Sequence, residues 1–387
     1  MTVGYYAPLP PAATGVAEYA AALLEELRKS GNVEVAPVTC DLALYHIGNN
    51  PLHGAIYERA IAHPGVVVLH DAVLTHFLLG SLSQQDWIGE FVYNYGEWTR
   101  GFAQQMWAQR AASASDSRYF AYPMLKRIAT TARAVIVHNP AAAEAVRRHA
   151  PEARVVEIPH FAPGNWRGNW GPVGGGPSFL VGGEFPHLPE TKEVIGEKSG
   201  AGWEAAPVFL RIGVFGYLRE SKRLPAILRA FDRARHAGAK VDLTIAGSFA
   251  SVDLERSLGP LLAAPHVSYI GHLSESEFVR AAQSVDVCVN LRYPSAQETS
   301  GIGVRLMALG KTVIFTDGPE LARIPANACL RVEHGPDEEE TLAEYLCWLA
   351  ANRELAREIG RRAAQHMATE HSLEVAAGLY WEVLNMH

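Results

Sequence analysis

The sequence has few cysteines and no pattern among them. Its four cysteines, Cys40, Cys288, Cys329 and Cys347, lie far apart, and none forms a CxxC pair. This spacing argues against a zinc-binding module and against a disulfide framework. It favours reduced thiols in a cytoplasmic protein.

Long apolar runs and basic clusters are also missing. No apolar stretch approaches the roughly 20 residues that a membrane-spanning helix needs. Met1 leads directly into a strand-like segment without the basic region of a signal peptide. The net charge of −7 and the absence of a Lys/Arg run argue against a nucleic-acid partner. We therefore expect a cytoplasmic protein with no transmembrane segment, for which a weak peripheral membrane contact stays possible.

What the chain does contain is a regular alternation of strands and helices. With 387 residues it is longer than one core usually grows, so two domains are expected. Apolar runs of strand length alternate with amphipathic stretches, which indicates an α/β fold with helix-covered parallel sheets.

The predicted domain boundary is a stretch in which this alternation stops. Residues 161–206 are rich in glycine and are typical of a linker or an inserted loop. We predict an N-terminal domain over residues 1–160 and a C-terminal domain over residues 207–370. A last helical segment, residues 371–387, can pack back on the first domain.

The most informative stretch runs from a buried strand through a polar elbow into a helix. The strand cannot continue through Pro294, which has no N–H to donate, and a helical pattern begins at Gly301. Such a junction places backbone N–H groups where they can bind an anion. Glu298 at its mouth would repel a bare phosphate, so we expect it to bind hydroxyl groups of a sugar attached to the phosphate.

A basic loop follows the first strand of the second half. Arg219 and Lys222 lie between that strand and the next helix, which Arg223 opens. Cations at this place can contact a phosphate group, and the alternative is a solvated basic turn.

Two segments of the first half are candidates for the facing side of the site. His70 and Asp71 end a buried strand, where open α/β sheets bind ligands, although His70 could instead make a structural hydrogen bond. Gly15 ends a Pro-rich loop and allows backbone to approach a ligand. The alternative is an ordinary loop with Thr14 as the helix N-cap. A metal site with His76 is disfavoured, because no third ligand has suitable spacing.

The aromatic residues of segment 87–107 stand at helical spacing. Such a pattern favours core packing, although a lid over a sugar acceptor would look similar.

Taken together, these segments resemble the retaining nucleotide-sugar glycosyltransferases of family four, which have the GT-B fold of two facing Rossmann-like domains. The resemblance covers nearly the whole chain except about residues 162–206. The motifs that carry it are residues 8–15 (PLPPAATG), His70 with Asp71, Gly216 with Lys222, and residues 298–301 (ETSG) followed by residues 309–311 (LGK).

The resemblance implies a donor diphosphate between the domains, against Lys222 and the amides near Ser300. It implies that Glu298 binds the transferred sugar and that His70 lies beside the donor sugar and the acceptor. Asp71 belongs to the same catalytic group. The other donor-binding positions expected are Gly15, Gly216, Arg219, Leu273, Thr299, Gly301 and Ile302.

Three departures from the family pattern stand out. Tyr217 follows the loop glycine where many relatives have Arg, so either Arg219 takes over the phosphate contact or donor binding is weaker. Arg305 falls near the place of a second Glu that usually contacts the ribose, which leaves the nucleotide open. The linker is also longer and richer in glycine than expected.

The function implied is that of a retaining glycosyltransferase of the hexosyltransferase type, acting on a carbohydrate or lipid-linked acceptor. No Asp-x-Asp motif lies beside a strand, so we expect fixed cations rather than a metal ion to stabilise the leaving diphosphate. No cofactor is expected besides the donor substrate. A non-catalytic nucleotide-sugar-binding protein and a nucleotide-sugar epimerase on the same fold remain alternatives. A dinucleotide-dependent oxidoreductase is disfavoured, because neither half has GxGxxG after its first strand.

Overall fold

Two α/β domains make up the computed structural model, which describes residues 1–12, 14–162 and 209–386. Each domain is built on one six-stranded parallel sheet. The linker predicted over residues 161–206 lies, apart from its first two residues, outside the described residues.

The first sheet belongs to the N-terminal half of the chain. Its strands are β1 (Thr2–Tyr6), β2 (Asn32–Val35), β3 (Leu42–Ile47), β4 (Val66–Leu69), β5 (Ala134–Val137) and β6 (Val155–Glu157). The order across the sheet is β2-β1-β3-β4-β5-β6. Strands β3, β4 and β5 are buried along their whole length, because helices cover both faces of a parallel sheet. Strand β2 is a short edge strand, as Pro37 predicted.

The second sheet has the strand order of a dinucleotide-binding domain. Its strands are β7 (Leu210–Phe215), β8 (Val241–Ala246), β9 (Val267–Ile270), β10 (Val287–Asn290), β11 (Thr312–Thr316) and β12 (Leu330–Val332). The order is β12-β11-β10-β7-β8-β9, so the strand order reverses between β7 and β10. A crevice forms at the carboxyl ends of strands at such a reversal. Strand β12 was not predicted, because three residues are too few to show a period.

The helices of the first domain include several that the sequence pattern did not show. They are α1 (Gly15–Leu27), α2 (Gly54–Ala62), α3 (Thr75–Ser81), α4 (Gln84–Tyr95), α5 (Arg100–Ala108), α6 (Arg118–Ala121), α7 (Lys126–Thr131) and α8 (Pro140–His149). The aromatic segment forms α4 and α5, which are separated at Gly96, where φ is +96°. Trp87 and Phe91 are fully buried, which agrees with core packing, whereas Trp98 is 84% exposed.

The second domain carries seven helices within the described residues. They are α9 (Leu224–His236), α10 (Val252–Leu262), α11 (Glu275–Ser284), α12 (Gly301–Ala308), α13 (Glu338–Ala351), α14 (Arg353–Glu370) and α15 (Leu373–Asn385). Helix α15 returns to the first domain and packs on α1, where the Tyr380 and Tyr19 hydroxyls lie 3.0 Å apart. In the described ranges, no helix is both long and apolar enough to cross a membrane.

The two domains meet at the carboxyl ends of their sheets. The Ala72 N–H donates to the Ala296 carbonyl at 3.0 Å. The Asn139 side-chain amide donates to the Gln297 carbonyl at 2.9 Å. The segment that connects β10 to α12 is therefore held directly by loops of the first domain.

Candidate active site between the domains

Glu298 lies in the segment between β10 and α12, and its carboxylate is enclosed by donors. One oxygen, Oε1, accepts hydrogen bonds from Arg292 and, at 3.4 Å, from Arg219. The other, Oε2, accepts from the Ala296 N–H at 2.9 Å. Burial alone would raise the pKa of Glu298, but the two guanidinium groups outweigh it and hold the pKa below its ordinary value. Glu298 is therefore a buried anion.

Lys222 lies on the same side of the crevice, at the end of a short 3₁₀ turn after β7. Its side chain is buried, and Nζ donates to the Asn290 side-chain oxygen at 2.8 Å. Burial, together with the positive charges of Arg292 and Arg219, lowers the pKa of Lys222 well below its ordinary value. Within the described part of the chain, no carboxylate forms an ion pair with this ammonium group. The site therefore favours an added anion.

Helix α12 presents its N-terminus to these cations. Ser300 is the N-cap, and its hydroxyl accepts from the Gly303 N–H at 3.1 Å. The N–H groups of Gly301 and Ile302 have no hydrogen-bond partner among the described residues. Unpaired N–H groups and the helix dipole make this end suitable for a phosphate group.

The loop after β7 approaches α12 closely at Gly216. This glycine has φ +109°, and a Cβ atom there would lie 3.3 Å from the Ile302 side chain. The left-handed conformation and the narrow space both favour glycine. Two of the expected donor-binding positions, Gly216 and Ile302, are thus close neighbours.

A small cavity opens beside the carboxylate. Its volume is about 50 Å³, and its lining includes Glu298, Ser300, Asn290 and His138. The cavity therefore lies between residues of both domains.

On the first-domain side, Asp71 lies near Glu298. Its Oδ2 atom accepts a hydrogen bond from the Asn49 N–H at 2.7 Å. Burial and the negative charge of Glu298 raise the pKa of Asp71 to about 6, against the opposing effects of Asn49 and Arg219. Two neighbouring carboxyl groups thus have different proton affinities.

His70 is turned toward the interior of the first domain. Its Nε2 lies 3.0 Å from Nδ1 of His46, and its ring packs edge-on against Tyr19. Burial is the main cause that lowers the pKa of His70 well below its ordinary value. The ring is therefore neutral and engaged with its own domain in this structure.

Four such histidines line the carboxyl edge of the first sheet. His46, His70, His138 and His160 come from the ends of β3, β4, β5 and the segment after β6, and all four surround Tyr19. Burial lowers the pKa of each. In the part of the chain that the structure describes, no group of three or more His, Cys, Asp or Glu side chains could hold a metal ion. The sequence analysis missed this cluster, although each member lies at or near the end of an apolar run of strand length.

The remaining expected positions lie on different elements of the two domains. The Thr299 hydroxyl donates to the His138 carbonyl at 3.3 Å, across the domain boundary. Gly15 is the first residue of α1, and nothing lies within 4 Å of a Cβ atom built there. Thr14 is the N-cap of that helix, as the simpler alternative predicted. Leu273 is partly buried and packs against the hydrophobic core of the second domain.

Two arginines have roles that differ from the sequence-based expectations. The expectation for Arg223 is wrong, because its guanidinium binds the buried Glu338 and not the phosphate side of the loop. Arg305 is buried and pairs with Glu275 and, at 3.2 Å, with Glu18 of α1. Arg305 therefore connects the two domains.

This architecture is that of the GT-B class, in which two Rossmann-like domains face each other across a crevice. Residues 206–352, less than half of the chain, match the family model described as glycosyl transferases group 1. The resemblance to GT-B glycosyltransferases is thus confirmed. Among curated proteins, none matches this chain.

Several solved structures share the whole fold at low sequence identity. Sucrose-phosphate synthase from Thermosynechococcus elongatus is 15% identical, with 100% of this chain and 99% of that chain covered and a TM-score of 0.62. Anabaena Alr3699/HepE, solved with UDP and glucose, is 11% identical, with both chains fully covered and a TM-score of 0.57. WaaG, a glycosyltransferase involved in lipopolysaccharide biosynthesis, is 10% identical, with the same coverage and a TM-score of 0.57.

Proposed function

We propose that this protein transfers a hexose from a nucleoside diphosphate sugar to an acceptor hydroxyl, with retention at the anomeric carbon. The observation that carries the proposal is the convergence of Arg219, Lys222, Arg292 and the α12 N-terminus around Glu298. This arrangement occupies the crevice at the strand reversal of the second sheet, where α/β domains bind nucleotides.

Such a site is suited to a leaving diphosphate. As the glycosidic bond breaks, negative charge grows on the departing oxygen, and fixed donors aimed at that charge lower the barrier. Lys222 has no carboxylate partner in the described ranges, so a diphosphate would supply its missing counter-ion. The free amides of Gly301 and Ile302 would add two donors from the helix end.

The carboxylate of Glu298 is assigned to the sugar. Its Oε2 atom accepts only the Ala296 N–H within the described residues, and a carboxylate oxygen can accept a second hydrogen bond. A sugar hydroxyl is a suitable donor for this position. Arg292 and Arg219 keep the carboxylate ionised for that contact.

We propose a uridine nucleotide as the first donor to test. Alr3699/HepE was solved with UDP-glucose, and the pneumococcal O-GlcNAc transferase GtfA was solved with UDP and GlcNAc. A carbohydrate or lipid-linked acceptor is proposed with it, by analogy with WaaG, a glycosyltransferase involved in lipopolysaccharide biosynthesis.

The proposed reaction needs no metal ion and no cofactor. The cations that would stabilise the diphosphate are the side chains of Arg219, Lys222 and Arg292. Turnover that is unchanged in excess EDTA would agree with this, and loss of turnover that Mg²⁺ or Mn²⁺ restores would contradict it.

Two measurements test the function. A thermal-shift screen with UDP, GDP, ADP and their hexose conjugates should show a higher Tm with one nucleotide series. Long incubation with the stabilising sugar nucleotide should then release the free nucleoside diphosphate slowly, because water replaces the acceptor. Binding without any release would instead support the non-catalytic alternative.

A further inference from the structure

A residue in the wall of the cavity beside Glu298 has a nitrogen atom without a hydrogen-bond partner. The residue is His138, which lines the cavity together with Glu298 and is only 5% exposed. Its Nε2 atom is buried, and no donor or acceptor of the described residues reaches it. Buried polar atoms are nearly always paired, so an unpaired one on a cavity-lining residue indicates a ligand group.

The other nitrogen of the His138 ring decides what Nε2 can bind. Nδ1 lies 2.9 Å from the Ile158 carbonyl oxygen, which only accepts, so Nδ1 carries the proton. Burial lowers the pKa of His138 to about 4, so the ring is neutral near pH 7. In a neutral ring that is protonated at Nδ1, Nε2 is an acceptor. It therefore requires a hydrogen-bond donor from the ligand.

Hydrogen bonds hold His138 against the segment that carries Glu298. The His138 carbonyl accepts from the Thr299 hydroxyl at 3.3 Å. The next residue, Asn139, donates its side-chain amide to the Gln297 carbonyl at 2.9 Å and to the Thr299 hydroxyl oxygen at 3.1 Å. These bonds reach the residues on both sides of Glu298 in the chain. They fix the position of His138 relative to Glu298 across the domain boundary.

Two other cavity-lining residues have hydrogen-bonding capacity left. Arg292 binds Glu298 and Ser300 through its terminal amino groups, but its buried Nε–H has no partner among the described residues. Oε2 of Glu298 accepts the Ala296 N–H and can accept a second hydrogen bond. The cavity-lining residues thus offer acceptors and a donor to one ligand.

The charges at this place favour a neutral ligand group. The guanidinium groups of Arg292 and Arg219 already balance the single negative charge of Glu298. An ammonium group of a ligand would therefore be repelled. A bare anion cannot donate a hydrogen bond to Nε2 of His138. A hydroxyl group is uncharged, donates one hydrogen bond and accepts others, so it fits all these residues.

The volume of the cavity limits how much of a ligand it can receive. The volume is about 50 Å³. One water molecule needs about 10–15 Å³ of such space, so a hydroxymethyl group or one edge of a sugar ring fits, whereas a complete hexose does not. Met307 and Phe315 also line the cavity. Such apolar side chains are suited to the C–H groups that carry the hydroxyl groups of a sugar.

We propose that His138 is a sugar-binding residue, whose Nε2 accepts a hydrogen bond from one hydroxyl group of the transferred hexose while Glu298 accepts one from another. The inference rests on the proposed function. It is carried by the unpaired Nε2 atom, by the cavity that His138 and Glu298 share, and by the bonds that fix their relative position. The two acceptors together select a hexose that presents both hydroxyl groups.

The variant His138→Asn separates the roles of the two ring nitrogens. The shorter amide can keep the bond to the Ile158 carbonyl that Nδ1 makes, but it ends before the position of Nε2. His138→Gln, whose longer side chain brings an acceptor oxygen near that position, is the rescue variant. His236→Asn on α9, where the side chain is 79% exposed, is the matched control.

The test combines these variants with donors that each lack one hydroxyl group of the hexose. UDP-glucose, or the hexose conjugate that raises Tm most, is compared with its monodeoxy analogues. The kcat/KM is measured as release of nucleoside diphosphate with water as the acceptor. A site built to bind a hydroxyl group rejects the analogue that lacks it. We expect one monodeoxy donor to lose about 5- to 150-fold in kcat/KM with the wild type, the effect of leaving a buried acceptor unpaired.

The expected signature is a loss that is not additive. His138→Asn should lose a similar factor with the complete donor and nothing further with that one monodeoxy donor. With the other monodeoxy donors, the losses caused by the variant and by the missing hydroxyl group should add. His138→Gln should recover part of the loss, and His236→Asn should behave as the wild type does.

The outcomes separate this inference from the proposed function. His138→Asn that slows every donor by one common factor, or that leaves kcat/KM unchanged, overturns the role of His138 and leaves the transferase in place. The wild type alone gives a second measurement that does not depend on a folded variant. If it uses every monodeoxy donor within about twofold of the complete one, the inference is also overturned. A wild type that binds none of the nucleotides and cleaves none of the sugar conjugates overturns the proposed function, and this inference with it.

Discussion

The two sheet edges that face each other in this protein have contrasting chemistry. The edge of the first domain presents four buried imidazoles around Tyr19, whose pKa values burial has lowered, so the edge is largely uncharged. The edge of the second domain presents Arg219, Lys222, Arg292 and Glu298, which form a charged network. Asp71 is the ionisable carboxyl group that the first domain adds to that network.

The charged groups that would stabilise a diphosphate in the proposed reaction all belong to the domain with the nucleotide-binding strand order. The edge opposite adds buried imidazoles whose pKa values are lowered, so near neutral pH it adds no positive charge that would compete with these groups. Burial and the negative charge of Glu298 raise the pKa of Asp71 to about 6 at the border between the two edges.

The largest expected effect comes from neutralising the charged edge at Glu298. The Glu298→Gln variant keeps the shape but removes the anion that Arg292 and Arg219 bind. We expect turnover to fall by about 10²–10³-fold, as for other site groups that act mainly on the transition state. The rate at which the sugar nucleotide releases nucleoside diphosphate measures this turnover.

Turnover of the variant can be compared with that of the wild type only if the variant is folded. Far-UV circular dichroism checks this. Glu298→Ala should also abolish transfer with the fold intact. Wild-type turnover by either variant would remove Glu298 from the site.

The neutral edge should make the protein sensitive to acid. His371 lies next to this edge, with its Nδ1 2.5 Å from the His160 carbonyl oxygen. The pKa of His138 and that of His371 are lowered to about 4, mainly by burial, whereas their ordinary value is 6.5. Below pH 6.5 the unfolded chain binds protons that the folded state does not, so stability falls until the pH reaches about 4. Each histidine should cost about 2 kcal/mol of unfolding free energy between pH 6.5 and 5.

Urea unfolding at the two pH values measures this loss. Asp71 contributes with the opposite sign, because its raised pKa favours the folded state at low pH. A free energy of unfolding that stays constant from pH 6.5 to 5 would mean that the histidine edge is not buried in the neutral form.

The smallest effect is expected at the rim of the interface. Arg323 binds Glu157 across the domain boundary at 2.6 Å, but its side chain is 58% exposed. Solvent screens such a pair, so Arg323→Ala should change the free energy of unfolding by less than about 0.5 kcal/mol. A loss of several kcal/mol would show that the domains depend on this rim contact rather than on their buried edges.

The fold was predictable in large part because buried parallel strands read as uninterrupted apolar runs. Strands such as β4 and β11 are buried at every residue, and the sequence pattern shows it. The order of the strands within each sheet could not be predicted, because it depends on pairings between segments that are distant in the sequence. Short elements such as β12 and α6 were not predicted, because they have too few residues to show a hydrophobic period.

The sequence indicated which residues lie at the sheet edge that forms the candidate site, but not which of their side chains contact one another. Glu298, Lys222 and Asp71 each follow a strand, so their place at the sheet edge could be inferred. Arg292 was part of the same stretch, yet no spacing rule shows that its guanidinium turns back onto Glu298. His70 likewise pairs with His46 of the adjacent strand, which requires the register of β3 and β4.

The central claim is that the charged edge receives a diphosphate against Lys222. Calorimetric titration of UDP into the wild type and into Lys222→Ala tests this most directly, with Lys126→Ala on the first-domain surface as the control. A hydrogen bond to a charged group contributes about 1.5–3 kcal/mol, so the Kd should rise by about 10- to 150-fold in Lys222→Ala. Equal affinity for UDP in the wild type and Lys222→Ala would contradict the account.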